Sequence, residues 1–279
     1  NAVFALLAGY FMLDAATEPL DVTSWFRSRV RRIIVPYLVW TAVYVTLNLG
    51  FDYVRGGGET FLTLDAKKWL PVVFCGEGGT HLWFLPTLFY AQVLLLLIWL
   101  PGGKQVSKKT GLTLIFGVGV LACFCYPLIP EAFFIRKLTF MTGYVFAGGG
   151  LVLLVPLFKH CQREIVCIAA SALMVSTTCA LIGLEGAGKI GIPFIQALSW
   201  VVLARAVPLG SLPNWFCSLG DRSMGIYLVH IVFTTALPLM AAKASLVLGR
   251  GQAVVFAGTA FVLSWTAAVL LHRLKVPGM

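Results

Sequence analysis

Charge is what this sequence has least of. Of its 279 residues 11% are charged, and only 11 are Asp or Glu, whereas a soluble domain carries about 25% charged residues. With 59% hydrophobic residues and a mean hydropathy of +0.91, the chain cannot be a soluble globular enzyme, a disordered segment or a nucleic-acid-binding domain. Asp and Glu are missing from the middles of the apolar runs. That counts against a proton-coupled pump or cation transporter, which needs an intramembrane carboxylate. Zinc spacings are missing too. Six of the seven cysteines (Cys123, Cys125, Cys161, Cys167, Cys179 and Cys217) lie in or beside apolar runs, and Cys75 stands alone in a polar loop. A cysteine in apolar surroundings behaves as a small hydrophobe, so neither a metal nor a disulfide is expected. The glycines at Gly56–Gly58 and at Gly76, Gly78 and Gly79 have no preceding strand and no following Gly-Lys-Ser/Thr, which excludes a P-loop and favours a flexible loop over about 51–80.

What is present is a series of apolar runs, at about 2–13, 30–50, 81–100, 111–129, 138–158, 165–184, 190–207, 223–242 and 253–271. They are longer than barrel strands and apolar on all sides, and only helices or closed barrels satisfy their backbone in lipid. The expected fold is therefore all-α: a polytopic transmembrane bundle of eight full spans plus one partial, in a single domain over 1–279. The first run is too short to cross a bilayer. It lacks the charged start and cleavage site of a signal peptide, and residue 1 is Asn. A further helix upstream is expected, giving about ten. Alternate loops hold thirteen and eight of the 21 Lys and Arg residues. The basic-rich set, with Arg27–Arg32 and Lys104–Lys109, is assigned to the cytoplasm, so the C-terminus is cytoplasmic. The net charge of +10 then reflects basic residues held there near lipid headgroups.

Polar chemistry meets these runs in three places. Arg27, Arg29, Arg31 and Arg32 crowd a cytoplasmic helix entrance. Arg29 and Arg32 are three apart and share a helix face. Such a pair of guanidinium forks can clamp phosphate oxygens, or it can serve as a topology anchor on anionic lipid. His81 begins the next span on the outside, with Trp83 beside it. Trp83 is either an interfacial anchor or part of an acceptor cleft. His81 is either a helix-start residue or a group that handles a proton. In the third place Ser223, Tyr227 and His230 share one face, with His230 about 10 Å into its helix. They form either an interhelical hydrogen-bonding patch or a functional site. Gly148–Gly150 suggests close helix approach or a flexible point.

Five segments carry a family resemblance: FALLAGYF at Phe4–Phe11, RVRRIIVPYLVW at Arg29–Trp40, HLWFLPTLFY at His81–Tyr90, MTGYVFAGG at Met141–Gly149 and SMGIYLVH at Ser223–His230. In this order, over nearly the whole chain, they resemble the acyltransferase 3 family of integral membrane acyltransferases, which acylate bacterial surface polysaccharides. The resemblance implies a bacterial cytoplasmic membrane protein with about ten helices. It implies acyl-CoA (acetyl or succinyl) as the inner donor substrate, with no metal, and a carbohydrate acceptor on the outer side. It also allows association with polysaccharide-synthesis machinery. On this view Arg29 and Arg32, with Arg31 as a third contact, hold the CoA phosphates. Trp83 lines the acceptor side, and Ser223 and Tyr227 line the inner bundle near the donor. His81 and His230 are candidates for the proton-transfer group, although the family's own histidine base lies on a first helix expected upstream of Asn1. The competing expectations are a glycan exporter without acyl-CoA turnover and a structural subunit of a synthesis complex.

Overall fold

The computed structural model describes residues 2–14, 21–54, 66–76, 82–105, 107–130, 133–154, 161–181, 188–206, 225–230, 232–234, 237 and 250–274. Among these the chain is all-α, with no strand. In chain order the helices are α1 (Ala2–Asp14), α2 (Val22–Arg29), a π-helical segment (Val30–Ile34), α3 (Val35–Val54), α4 (Ala66–Cys75), α5 (Phe84–Gln105), α6 (Lys108–Cys125), α7 (Phe133–Gly150), α8 (Gln162–Leu181), α9 (Gly188–Ala206) and α10 (Arg250–Arg273). A helical stretch over 225–230 lies between α9 and α10. The described parts of the apolar runs are helical apart from a turn at 82–83 and a bend at 129. Two helices, Val22–Leu47 and Lys108–Leu128, are long and apolar enough by themselves to cross a bilayer, and others such as Ala2–Asp14 and Phe84–Leu100 are shorter. The expected total of eight full spans and one partial goes beyond what these helices establish.

Two compact units are present: residues 1–26 with 83–209, and residues 27–82 with 210–279. In the first, α7 is sandwiched between α1 and α6, and its residues 143–150 are all buried. Small side chains make this possible. A Cβ on Gly9 of α1 would overlap the Val145 carbonyl oxygen, and one on Gly148 would overlap the Leu6 carbonyl oxygen. On the opposite side Gly119 of α6 meets the Ala147 backbone, and Gly143 meets Cys123, whose Sγ would lie 2.8 Å from an added Cβ. Gly119 and Cys123 are four apart, as are Gly143 and Ala147, so two small-residue seams face each other. Close backbone approach of this kind joins helices where water supplies no hydrophobic drive. It settles Gly148–Gly150 as a place of close approach.

The outer face of α6 is the reverse of a soluble helix. Leu112, Ile115, Gly119 and Cys123 are buried, while Leu114, Val118, Leu121 and Phe124 are exposed. A contiguous exposed apolar face of this kind is costly in water and suits hydrocarbon.

In the second unit, the loop expected over 51–80 contains a helix. α4 starts with a polar turn at Lys67 and Lys68 and carries Pro71 inside. It ends where Gly76 takes φ 76°, the left-handed conformation that glycine supplies at a helix C-terminus. The last carbonyls of a helix lack intrahelical donors. Here the Tyr37 phenol donates to two of them, Val72 O and Val73 O, both at 2.8 Å. The tyrosine thereby caps α4 from α3. Of the glycines expected in a flexible loop, Gly56–Gly58, Gly78 and Gly79 lie outside the described residues.

Candidate functional site

The site begins with a proline. Pro36 has no N–H to give the Arg32 carbonyl, and its ring crowds that group. The chain responds by widening the preceding turn: residues 30–34 are π-helical, and Val35 N–H bonds to Val30 O, five residues back. Such a turn carries one residue more than an α-turn. In an uninterrupted helix Arg29 would lie about 80° around from Tyr37, at about 100° per residue. The extra residue cuts this to about 20°. Arg29 therefore joins the face formed by Ile33, Tyr37, Trp40, Thr41 and Tyr44. Burial follows this geometry, for Arg29 is half-buried and the other five are buried. Arg31 and Arg32 are exposed. The Arg32 charge acts on Arg29, so the two guanidinium groups repel, and an anion shared between them would relieve that repulsion.

Replacing Pro36 by Ala should restore the α-turn and carry Arg29 about 100° away from the tyrosine face. Titration with acyl-CoA should then show at least a tenfold loss of affinity with no loss of thermal stability. Unchanged affinity would mean that the widened turn does not aim Arg29.

Tyr44 reaches the stretch that carries His230. Its phenol donates to Leu228 O at 2.8 Å, with both groups buried. The adjacent carbonyl, Tyr227 O, lies 2.6 Å from His230 Nδ1. A carbonyl only accepts, so Nδ1 carries the proton and Nε2 is the basic atom of the neutral ring. The rings of Tyr227 and His230 are 5.6 Å apart, and both residues are half-buried. The structure thus brings Tyr227 and His230 together, as their spacing predicts.

Trp83 belongs to the first unit. It is half-buried, with Lys137 Nζ 4.7 Å from its ring centroid and Phe84 edge-on at 6.4 Å. Exposed cation–π pairs contribute about 0.5–1 kcal/mol, so Lys137→Ala should lower stability by about that much in thermal unfolding. No measurable shift would leave the contact without energetic weight. His81 and Ser223 lie outside the described residues. Among the described residues no cluster of three metal-ligating side chains occurs.

Tyr37, Trp40, Thr41 and Tyr44 are the additions that the structure makes to the sequence-derived set. Their i, i+3, i+4, i+7 spacing was the available signal: a stripe of polar-tipped side chains within an apolar helix.

A family model described as an acyltransferase domain matches residues 2–272. The chain belongs to the acyltransferase 3 family. No curated protein and no solved structure matches it. Membership assigns acyltransferase activity in general to this chain. The membrane character typical of acyltransferase 3 proteins agrees with its apolar helices and with the outward hydrophobic face of α6. The match runs across α1 through α10 and both compact units.

Proposed function

We propose that the chain is an integral membrane O-acyltransferase of the bacterial cytoplasmic membrane, its C-terminus cytoplasmic, working as one domain. It moves an acetyl or succinyl group from acyl-CoA to a sugar hydroxyl of a surface polysaccharide or glycolipid. The observation that carries this is the Arg29–Arg32 pair at a helix entrance, where a proline-widened turn sets Arg29 on a polar-tipped face. Guanidinium forks match phosphate oxygens in shape and charge, with Arg31 beside them.

The chemistry is a thioester exchange. The acceptor hydroxyl oxygen attacks the thioester carbonyl carbon while a base takes its proton. The tetrahedral intermediate collapses, the carbon–sulfur bond breaks, and the CoA thiolate leaves to recover a proton. A thioester is already activated, so no metal is required, and general-base help contributes about 10²–10⁴-fold. His230, with Nε2 as its basic atom, and His81, three residues ahead of α5, are the candidate proton-handling groups of this chain. Trp83 lines the acceptor side, and Tyr227 and Ser223 line the donor path.

The test is the protein reconstituted in liposomes, with thiol release from acetyl-CoA and succinyl-CoA followed with and without an oligosaccharide acceptor. Acceptor-dependent thiol release with acylated sugar is expected. Glycan crossing the membrane without thiol release would replace this function with export.

A further inference from the structure

Two buried polar atoms on α3 are left over by the packing around them. Trp40 is 7% exposed and Thr41 6%, and neither Trp40 Nε1 nor Thr41 Oγ1 has a hydrogen-bond partner among the described residues. Thr41 differs from most threonines inside the described helices. Thr46, Thr113, Thr139, Thr178, Thr259 and Thr266 each donate to the backbone carbonyl four residues back. Thr41 does not, so its hydroxyl is not spent on its own helix. An indole N–H can only donate and a hydroxyl can do so. In an apolar setting an unmet donor is expensive, and each one in a native structure calls for an explanation.

Their surroundings are fixed. Tyr37, one turn before, is tied to the α4 carbonyls, and Tyr44, one turn after, is tied to Leu228 O. The two donors therefore occupy the turn between two anchored tyrosines, on the face that Arg29 joins through the widened turn. From Arg29 to Trp40 the helix rises roughly 16 Å, at about 1.5 Å per residue. The linear arm between the phosphates and the sulfur of coenzyme A has about the bond length of four extended residues, about 14 Å. That arm carries two amide carbonyls, and the thioester carbonyl lies just beyond it.

We propose that Trp40 Nε1–H and Thr41 Oγ1–H form a donor pair for a carbonyl oxygen of the acyl donor's arm, holding the arm along α3 once its phosphates are bound. This rests on the reading that Arg29 and Arg32 hold those phosphates. The pair is a specificity device: it distinguishes an arm-bearing thioester from a bare nucleotide.

The test compares two probes on the full protein in detergent: acetyl-CoA, and adenosine 3′,5′-bisphosphate, which has nucleotide phosphates and no arm. Trp40→Phe and Thr41→Val should each weaken acetyl-CoA about three- to tenfold, the worth of one hydrogen bond. Both should leave the bisphosphate within about twofold of wild type. Arg29→Ala should weaken both probes. Thr41→Ser, which keeps the hydroxyl, should retain acetyl-CoA affinity. The ligand-free Tm of Thr41→Val should be unchanged or higher, since the buried hydroxyl being removed has no partner among the described residues. If Trp40→Phe does not fold, Thr41→Val alone decides.

Wild-type acetyl-CoA affinity in the Thr41→Val variant overturns the pair and leaves the phosphate clamp standing. So does an equal loss for both probes, or a lowered ligand-free Tm. A wild-type protein that binds neither probe overturns the clamp and the pair together.

Discussion

Gly9→Ala should cost about 3 kcal/mol, the upper end of the range for overpacking a tight interior, and little monodisperse protein should survive detergent extraction. The added methyl would sit on the Val145 carbonyl oxygen and within 2.9 Å of Gly149 N. Both obstacles are backbone, so no side chain can swing aside, and α1 and α7 must separate along their contact. Gly117→Ala is the matched control. It is also a helix-interior glycine, on α6, but an added Cβ there meets nothing within 4 Å. Alanine gains about 0.5–1 kcal/mol over glycine in a helix through reduced chain entropy. The two variants make the same chemical change and should move stability in opposite directions. Thermal unfolding beside size-exclusion chromatography reads both. Equal stability of the pair would show that the seam is looser than its geometry.

Loss of the arginine pair should be the largest effect on ligand binding. A hydrogen bond to a charged group contributes about 1.5–3 kcal/mol, so Arg29→Ala and Arg32→Ala should each weaken acyl-CoA by about 10- to 150-fold. Lysine substitutions should recover only part of this, because an ammonium keeps the charge but not the planar fork. Arg29 is half-buried and Arg32 exposed. Raising the salt concentration should therefore erode the contribution of Arg32 more than that of Arg29, since exposed charges are screened more. Isothermal titration across salt concentrations checks both statements. An affinity that survives both alanine substitutions would refute the clamp.

The helices were legible because apolarity persists along each run, and a long run in lipid has few backbone solutions. α4 was not legible. Lys67, Lys68 and Pro71 interrupt its pattern, and the features that make it a helix are tertiary: a phenol from α3 on its last carbonyls and a left-handed Gly76 behind them. The Tyr227–His230 pair could be read from spacing, because three residues apart on a helix means neighbours. The same spacing names Arg29 and Arg32, but the π-helical turn between them sets Arg29 on the half-buried tyrosine face and leaves Arg32 exposed. The roles of Tyr37 and Tyr44 could not be read from spacing. A tyrosine in a membrane helix reads as an interfacial residue, and nothing local to Tyr44 points to Leu228, 184 residues away. That Trp40 Nε1 and Thr41 Oγ1 have no partner among the described residues was out of reach for the same reason: a single sequence carries no inventory of who bonds to whom.

The widened turn before Pro36 also acts as a phase shift. A helical wheel drawn straight through Val22–Leu47 assigns faces correctly on one side of the turn and about 100° wrongly on the other. An alanine scan of this helix should show the same break. Its sensitive positions should follow 37, 40, 41 and 44 after the proline, and upstream they should fall one residue earlier than that rhythm extrapolates, at Arg29 rather than Val30. Pro36 thus sets the meaning of each position before it while touching none of the chemistry itself.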